Sequence, residues 1–255
     1  MRTICLMVFC LLLTGSLRTH AHEELRVAAA ADLTQAFGEI ARVYAQQTGQ
    51  KVTVIFGSSG LLTQQIENGA PFDVFASANE GYINQLDTKS LLVPDTRQLY
   101  ARGKLVLWTR KGGPALPATL ADIASSRYTH IAIANPDHAP YGLAAKQALQ
   151  AAGIWDKIQG KLVTGENIQQ TYQFAATGNA DVALVSRALV SKESGRFIPV
   201  PDNLYAPLLQ AIAVIKSSAQ TDHARQFVRF VTEGVGKGLL KKYGFELPEK
   251  KVQGK

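Results

Sequence analysis

Four places in the chain present small or polar residues between an apolar run and a helical pattern. They are residues 31–32 (AD), 57–60 (GSSG), 140–142 (PYG) and 166–168 (ENI). The first turn of a helix has backbone N–H groups without an intrahelical partner and carries about half a unit of positive charge. Several helix starts that face one cleft can therefore bind an anion without a cationic side chain.

Each of these junctions, taken alone, is typical of an ordinary turn. A lone Asp32 is most often a helix N-cap, and a lone Tyr141 is most often a packed side chain. In the GSSG segment, Ser59 adds a hydroxyl donor, and the two glycines allow a ligand to approach the backbone closely. The anion-site interpretation depends on all four junctions together.

The elements that must position these junctions alternate between strand and helix. Asp32 is predicted to begin the first helix in a capping box with Gln35, and Gly49 to end it. Strands are expected at residues 25–31, 52–56, 72–76, 131–134, 161–163, 181–185 and 211–215, with one longer strand (KLVLWTR) within 99–110. Helices are expected at residues 32–48, 61–68, 142–152, 168–177, 224–232 and 235–243. Strand–helix–strand repetition predicts an α/β fold with mostly parallel sheets flanked by helices.

Two such series joined by two crossing segments predict a two-lobed protein with its ligand in the cleft between the lobes. We expect lobe 1 to comprise residues 22–102 and 206–255, and lobe 2 to comprise residues 103–205. The predicted hinge lies near residues 101–104 and 205–209. Ligands of open α/β sheets bind beyond the carboxyl ends of the strands, which is where the four junctions fall.

The N-terminal segment has the pattern of a cleavable signal peptide over residues 1–21. Arg2 precedes a ten-residue apolar run at 4–13, and residues 19–21 (THA) form a cleavage triplet. The mature chain would begin at about His22 in the periplasm. Cleavage would remove the two cysteines, Cys5 and Cys10, which excludes thiol chemistry and Cys-ligated metals in the mature protein.

The net charge of +7 suggests nucleic acid, but the distribution of basic residues argues against that partner. The basic residues are scattered, and no zinc-finger spacing or basic-region heptad is present. Removal of two arginines with the signal would lower the charge to +5. Hydrophobic residues make up 46% of the chain and charged residues 18%, which is typical of a globular protein.

Several stretches of the mature chain resemble the periplasmic molybdate-binding proteins of ABC importers, within the type II solute-binding fold. They lie at 27–41 (VAAAADLTQAFGEIA), 56–78 (FGSSGLLTQQIENGAPFDVFASA), 135–149 (NPDHAPYGLAAKQAL), 155–162 (WDKIQGKL) and 241–248 (KKYGFELP). The resemblance implies a molybdate or tungstate carrier, without a cofactor or enzymatic activity. It also implies an inner-membrane permease with a cytoplasmic ATPase as partner, and we expect a monomer.

By position, the resemblance implies that the ligand contacts Asp32, Ser59, Tyr141, Ile168 and Ser186, with Ile168 contributing its backbone N–H. Two positions depart from the family pattern. Members of the family have a serine or a threonine–asparagine pair where this chain has Ala31 and Asp32, and many have a tyrosine where it has Ser186. The Tyr141 phenol could replace that tyrosine from the opposite direction.

Asp32 is the residue that least fits an oxyanion site, since a carboxylate repels a dianion about 4 Å away. The interpretation we favour is that its side chain caps its own helix and leaves the backbone N–H to the ligand. Alternatively, Asp32 is protonated, or it accepts a proton from a ligand such as hydrogenphosphate. The last case would favour phosphate over molybdate or sulfate. Arg187 would offset the charge if it faced the cleft.

Three other functions remain open at this point. An exported enzyme would need a base such as His138, which lies three residues before Tyr141, but no HExxH or GxSxG motif is present. Ferric iron binding would need clustered oxygen ligands, and Tyr141 and Tyr172 are well separated in sequence. A regulatory role is also open, although no helix-turn-helix pattern is appended.

Overall fold

The computed structural model describes residues 24–248, so the predicted signal peptide and its cleavage site lie outside the described residues. The strands are β1 (Leu25–Ala30), β2 (Val52–Gly57), β3 (Val74–Ser77), β4 (Gln98–Gly103), β5 (Leu105–Arg110), β6 (Ile131–Ala134), β7 (Leu162–Gly165), β8 (Val182–Ser186), β9 (Gly195–Pro199) and β10 (Leu208–Val214). The helices are α1 (Thr34–Thr48), α2 (Ser59–Glu67), α3 (Glu80–Thr88), α4 (Pro140–Ala151), α5 (Trp155–Ile158), α6 (Ile168–Thr177), α7 (Thr221–Thr232) and α8 (Gly234–Lys242).

The strands form two five-stranded sheets of matching design. The first has the order β2-β1-β3-β10-β4 and the second the order β7-β6-β8-β5-β9. In each sheet three strands pair in parallel, and a fourth strand is antiparallel to both of its neighbours. That reversed strand is β10 in the first sheet and β5 in the second. Each sheet is therefore mostly parallel, with one strand running against the rest.

The two reversed strands are also the points at which the chain changes sheets. It enters the second sheet through β5 and re-enters the first sheet through β10. The chain passes from β4 to β5 through Lys104, and it returns to β10 from β9. The longer strand predicted within 99–110, at KLVLWTR, corresponds to β5, whereas β4 was not predicted. Gly103 pairs with Leu208 in the first sheet, whereas Leu105 pairs with Ser186 in the second, so the chain changes sheets within two residues.

The predicted lobe boundaries fall at these two connections. We use lobe 1 for the part of the chain around the first sheet and lobe 2 for the part around the second. The bounds 22–102 with 206–255, and 103–205, stay a prediction.

Local sequence explains the burial of β1 and the position at which α1 ends. β1 (LRVAAA) is buried at every position but Arg26, and α1 buries Phe37, Ile40 and Tyr44 on one face. Helix α1 ends at Gly49, whose φ of 76° lies in the left-handed region that glycine adopts without strain. The predicted helix end is thus confirmed.

The beginning of that helix differs from the prediction. Residues Ala31–Leu33 form a short 3₁₀ turn before α1, and neither this turn nor α1 has a side-chain cap. The capping box between Asp32 and Gln35 was therefore wrong. Gln35 Nε2 instead donates to the Leu189 carbonyl oxygen, 3.3 Å away in lobe 2.

The sheets and their flanking helices bury two apolar clusters, a large one that extends through both lobes and a smaller one around Leu62, Phe75 and Leu86 in lobe 1. Behind the first sheet, Phe37, Tyr44 and Phe227 pack edge to face, with ring centroids 5.2 to 6.2 Å apart. In lobe 2, Trp108 is fully buried and its ring centroid lies 4.8 Å from that of Tyr172. None of the helices between residues 24 and 248 is long and apolar enough to cross a membrane.

Candidate functional site

A small cavity of about 10 Å³ lies where the carboxyl ends of β1 and β2 meet the N-termini of α2, α4 and α6. Its lining combines lobe 1 residues with the loops that begin two helices of lobe 2. The lining residues are Ala30, Ala31, Asp32, Gly57, Ser58, Ser59, Ala78, Ala139, Pro140, Tyr141, Asn167 and Ile168. No lysine, arginine or histidine is among these described lining residues. The cavity therefore offers helix N-termini and hydroxyl groups to a ligand.

The structure brings four of the five predicted site residues to this cavity. Asp32, Ser59, Tyr141 and Ile168 line it, and each is almost completely buried. Ser186 is not part of the lining. Its hydroxyl donates to the Tyr141 hydroxyl over 3.0 Å and accepts from the Ala188 N–H over 3.2 Å. Ser186 therefore positions Tyr141.

Ser59 is the first residue of α2, so its own N–H group has no partner within the helix. Its Oγ accepts a hydrogen bond from the Ala78 N–H over 3.0 Å. That bond fixes the hydroxyl and leaves its hydrogen uncommitted. A hydroxyl held in this way can donate to an anion in the cavity.

Ile168 and Tyr141 occupy the first turns of the two lobe 2 helices. Ile168 begins α6, where the Asn167 side chain caps the helix by accepting from the Gln170 N–H over 3.0 Å. Tyr141 follows Pro140 at the beginning of α4. Because proline has no N–H and its φ suits the first helical position, it leaves the helix start well defined. Both helix dipoles therefore have their positive ends at the cavity.

The Asp32 carboxyl group is buried and hydrogen bonded on one side only. Its Oδ2 accepts from Gln210 Nε2 over 2.6 Å, whereas Oδ1 is buried with no partner among the described residues. The favoured prediction, in which this side chain caps its own helix, was wrong. The Gln210 amide, brought next to it by β10, competes successfully for the carboxylate.

Gln210 is the centre of a buried network that the sequence did not reveal. Its Nε2 also donates to the Tyr141 hydroxyl over 3.2 Å, and its Oε1 accepts from the Tyr100 hydroxyl over 2.7 Å. The amide of Gln210 therefore joins Asp32 and Tyr100 of lobe 1 to Tyr141 of lobe 2. A glutamine within the apolar run 208–214 (LLQAIAV) was the available signal, because a buried amide needs partners.

Close packing around Gln210 and Tyr141 also explains why residue 103, just before the connection from β4 to β5, is a glycine. A Cβ atom on Gly103 would lie 2.1 Å from the Tyr141 hydroxyl and 2.8 Å from Gln210 Nε2. Both atoms belong to buried, hydrogen-bonded groups that have little room to move. Glycine is therefore required where the chain leaves lobe 1.

Burial dominates the ionisation of these groups. It raises the pKa of Asp32 to about 6, although the hydrogen bond from Gln210 and the nearby Tyr141 hydroxyl act in the opposite direction. The pKa values of Tyr100 and Tyr141 are well above 10, first because both phenols are buried and second because Asp32 lies nearby. Both phenols are neutral at physiological pH.

An ionised Asp32 would strongly oppose a dianion in the cavity. Two unit charges 4 Å apart interact by about 4 kcal/mol at the effective dielectric constant of a protein, which gives about 8 kcal/mol for a carboxylate and a dianion. Arg187 does not offset this repulsion, contrary to the option raised from the sequence. Its guanidinium stacks 4.6 Å above the Phe197 ring and donates to the Val190 carbonyl.

His138 joins the two lobes at the rim of the cavity. Its carbonyl oxygen accepts hydrogen bonds from the Ser58 hydroxyl and from the Gly60 N–H, the latter over 2.9 Å. Its Nδ1 lies 2.8 Å from Ser58 Oγ. A Cβ atom on Gly60 would approach this carbonyl oxygen to 2.7 Å, so the lobes are in close contact here. The chain is therefore seen with its lobes closed over the cavity.

The arrangement gives no support to the iron alternative. Within residues 24–248, no group of three or more His, Cys, Asp or Glu side chains could hold a metal ion. Tyr172 packs against Trp108 in lobe 2, whereas Tyr141 lies in the network at the cavity. The two tyrosines considered as iron ligands are therefore not part of one site.

Comparison with known families decides the class of protein. Residues 25–246 match the model of the family described as bacterial extracellular solute-binding protein. The chain belongs to this family. Membership confirms the two-lobed α/β fold expected from the sequence, and it confirms a solute-binding protein in place of an enzyme.

Individual members of the solute-binding family are similar over most of the chain. A molybdate-binding protein ModA of Rhodobacter capsulatus is 37% identical over 223 residues, which cover 87% of this chain and 88% of the relative. The structure of the Azotobacter vinelandii periplasmic molybdate-binding protein superposes with a TM-score of 0.84 at 35% identity, covering 89% of this chain and all of that one. The sulfate-binding protein SubI of Mycobacterium tuberculosis, at 14% identity and a TM-score of 0.75, shares the fold.

Proposed function

We propose that this solute-binding protein captures molybdate, and also tungstate, in the cavity between its lobes and delivers it to an ABC permease. The observation that carries this proposal is a buried cavity formed by three helix N-termini and hydroxyl groups, with no basic side chain among its described lining residues. Neutral donors suit a dianion that carries no proton at neutral pH. The likeness to molybdate-binding relatives over most of the chain supports the choice of oxyanion.

In this proposal the ligand contacts come from both lobes. Ser59 donates its hydroxyl hydrogen and its N–H, and Ile168 donates its N–H at the start of α6. Tyr141 contributes from α4, held by Ser186 and Gln210. Asp32 faces the ligand from lobe 1. The molybdenum is bound only through its oxygens, without a protein ligand to the metal.

The proposed setting is the periplasm of a bacterium, reached through a signal peptide cleaved before about His22. The protein acts as a monomer there. It docks on an inner-membrane permease whose transport is driven by a cytoplasmic ATPase. Relatives from the same family support the periplasmic location and the permease partner.

Isothermal titration of the mature chain with molybdate, tungstate, sulfate and phosphate tests this function. We expect heats of binding with molybdate and tungstate, much weaker binding of the smaller sulfate ion, and no binding of phosphate. Phosphate binding in the absence of molybdate binding would refute the proposal and favour an ionised Asp32 that accepts a ligand proton.

A matched pair of serine variants tests the location of the site. Ser59→Ala should weaken molybdate binding by about 1–3 kcal/mol, or roughly 5- to 150-fold, because a hydrogen bond to a charged ligand is lost. Ser217→Ala, at an exposed position of lobe 1, is the control and should leave the affinity unchanged. Equal affinities in the two variants would place the ligand elsewhere.

A further inference from the structure

One buried oxygen of a cavity-lining residue has no hydrogen-bond partner among the described residues. Asp32 lines the cavity and is 1% exposed, and its Oδ1 makes no hydrogen bond to any described residue. A buried polar atom without a partner is rare in folded proteins, and at a binding cavity it points to a contact with the ligand. Such an oxygen either accepts a hydrogen from the ligand or, when protonated, donates one to it.

The neighbours of Asp32 determine which of its two oxygens can carry a proton. The Tyr100 hydroxyl donates to Gln210 Oε1 over 2.7 Å, and this bond turns Gln210 Nε2 toward Asp32. Oδ2 therefore receives an N–H donor at 2.6 Å and acts as the acceptor oxygen. Oδ1 is left as the position for a hydroxyl hydrogen.

No positive charge nearby can offset an ionised Asp32. The titratable groups that face it are the phenols of Tyr100 from β4 and Tyr141 from α4, both neutral at physiological pH. Gln210 from β10 is a neutral amide. Among the described residues, no lysine, arginine or histidine contributes to the pKa of Asp32. Only a proton can therefore remove its charge.

We propose that Asp32 binds one proton from solvent when the ligand enters, and that its Oδ1 hydroxyl then donates a hydrogen bond to an oxygen of the bound oxyanion. This inference rests on the proposed function, since molybdate and tungstate only accept hydrogen bonds at neutral pH. The proton stays on Asp32, no covalent bond within the ligand is made or broken, and one proton is taken up for each ligand bound.

The burial of Asp32 makes this uptake feasible near neutral pH. Its pKa is already about 6 in the closed protein, and a neighbouring dianion favours the neutral carboxyl further. Above pH 6 the free protein is mostly ionised at this position, so binding must include protonation. The Kd for molybdate should therefore rise by up to about tenfold for each pH unit above this pKa.

Proton uptake is measured directly by titrating the mature protein with sodium molybdate at about pH 7.5. Buffers of different ionisation enthalpy, at one ionic strength, give the number of protons bound per molybdate. We expect about one for the wild type. The Kd should also be measured between about pH 6 and 8.5 in the same way.

Two aspartate variants complete the experiment. Asp32→Asn supplies a neutral donor at the same position, so it should take up no proton and its Kd should not change with pH. At about pH 8.5 this variant should bind molybdate more tightly than the wild type. Asp87→Asn removes the same charge from an exposed position on α3 and should behave as the wild type. Circular dichroism melting checks that both variants fold.

The possible results separate this inference from the proposed function. Molybdate binding with a pH-independent Kd and no proton uptake in the wild type would overturn the role of Asp32 and leave the function intact. Absence of molybdate binding at every pH would overturn both. Proton uptake that persists in Asp32→Asn would assign the proton to another group and refute the inference.

Discussion

Replacement of Asp32 by asparagine should change how the stability of the ligand-free protein depends on pH. The wild-type carboxyl group is buried, which raises its pKa from 3.8 to about 6. A group whose pKa is higher in the folded state stabilises the protein while it is protonated. That contribution is fully present below pH 3.8 and is lost as the pH rises through 6.

The size of the effect follows from the shift of about two pKa units. Each unit corresponds to about 1.36 kcal/mol, so the full shift is worth about 3 kcal/mol, and the free energy of unfolding should fall by about 2.4 kcal/mol between about pH 4 and pH 7 because of Asp32 alone. The asparagine variant lacks this ionisable group but keeps every other one. The difference in unfolding free energy between wild type and variant should therefore change by about 2.4 kcal/mol over this range.

Urea unfolding at half-unit steps from about pH 4 to pH 7.5 measures this difference. Fluorescence of Trp108, which is fully buried, reports the transition, and linear extrapolation gives the free energy at each pH. The buffers must contain no molybdate, phosphate or sulfate. Asp87→Asn serves as the control, because it makes the same substitution at an exposed position on α3.

The reasoning would be refuted if the difference between the wild type and the Asp32→Asn variant stayed constant within about 0.5 kcal/mol across the range. Such a result would mean that Asp32 is ionised in the folded protein with an ordinary pKa. Burial would then be compensated by interactions stronger than those with Gln210 and Tyr141. The same result would also remove the basis for proton uptake on ligand binding.

Three further variants test the network behind the cavity. Gln210→Met deprives buried Asp32 and Tyr141 of a hydrogen-bond donor. It should lower the free energy of unfolding, measured in urea, by about 2–4 kcal/mol. A loss below about 0.5 kcal/mol would contradict the network. Gly103→Ala places a Cβ atom 2.1 Å from the Tyr141 hydroxyl and should lower the free energy of unfolding by about 1–3 kcal/mol. Gly38→Ala is the control, because a Cβ atom there meets open space on α1, and it should raise the free energy of unfolding by about 0.5–1 kcal/mol. Similar melting temperatures for the two alanine variants would disprove the steric argument. Tyr141→Phe should weaken molybdate binding by roughly 2- to 15-fold in titration calorimetry, and an unchanged Kd would exclude the phenol from the site.

The alternation of strands and helices could be predicted from the chain alone, because it depends on neighbouring residues. The apolar run that becomes β1 and the glycine at 49 that ends α1 are local signals of this kind. The region 99–110 could not be divided in the same way. Strand β5 is mostly apolar, but β4 contains Gln98 and Arg102, and the separation of the two strands at Lys104 depends on pairing with β10 and β8, which lie far along the chain.

The candidate site shows the same division between local and distant causes. Ser59 and Ile168 could be predicted to lie at the cavity because each stands at a helix start, which the adjacent glycine, asparagine and apolar residues define, and because each matches a ligand position of the similar family. The state of Asp32 could not be found in this way. Its partner Gln210 is 178 residues away, and the alternative of an N-cap is equally consistent with the local sequence.

The sequence by itself determined the α/β class, the approximate positions of the helix starts that meet at the cavity and the positions of most cavity residues. It could do so because hydrophobic periodicity, glycine and helix-start chemistry act over a few residues. Only the tertiary structure decided that Asp32 is buried with one oxygen unpaired, that Ser186 supports Tyr141, and that Gly103 and Gln210 matter at all. These properties arise where two sheets meet, and the strand order that brings distant residues together there has no local signature.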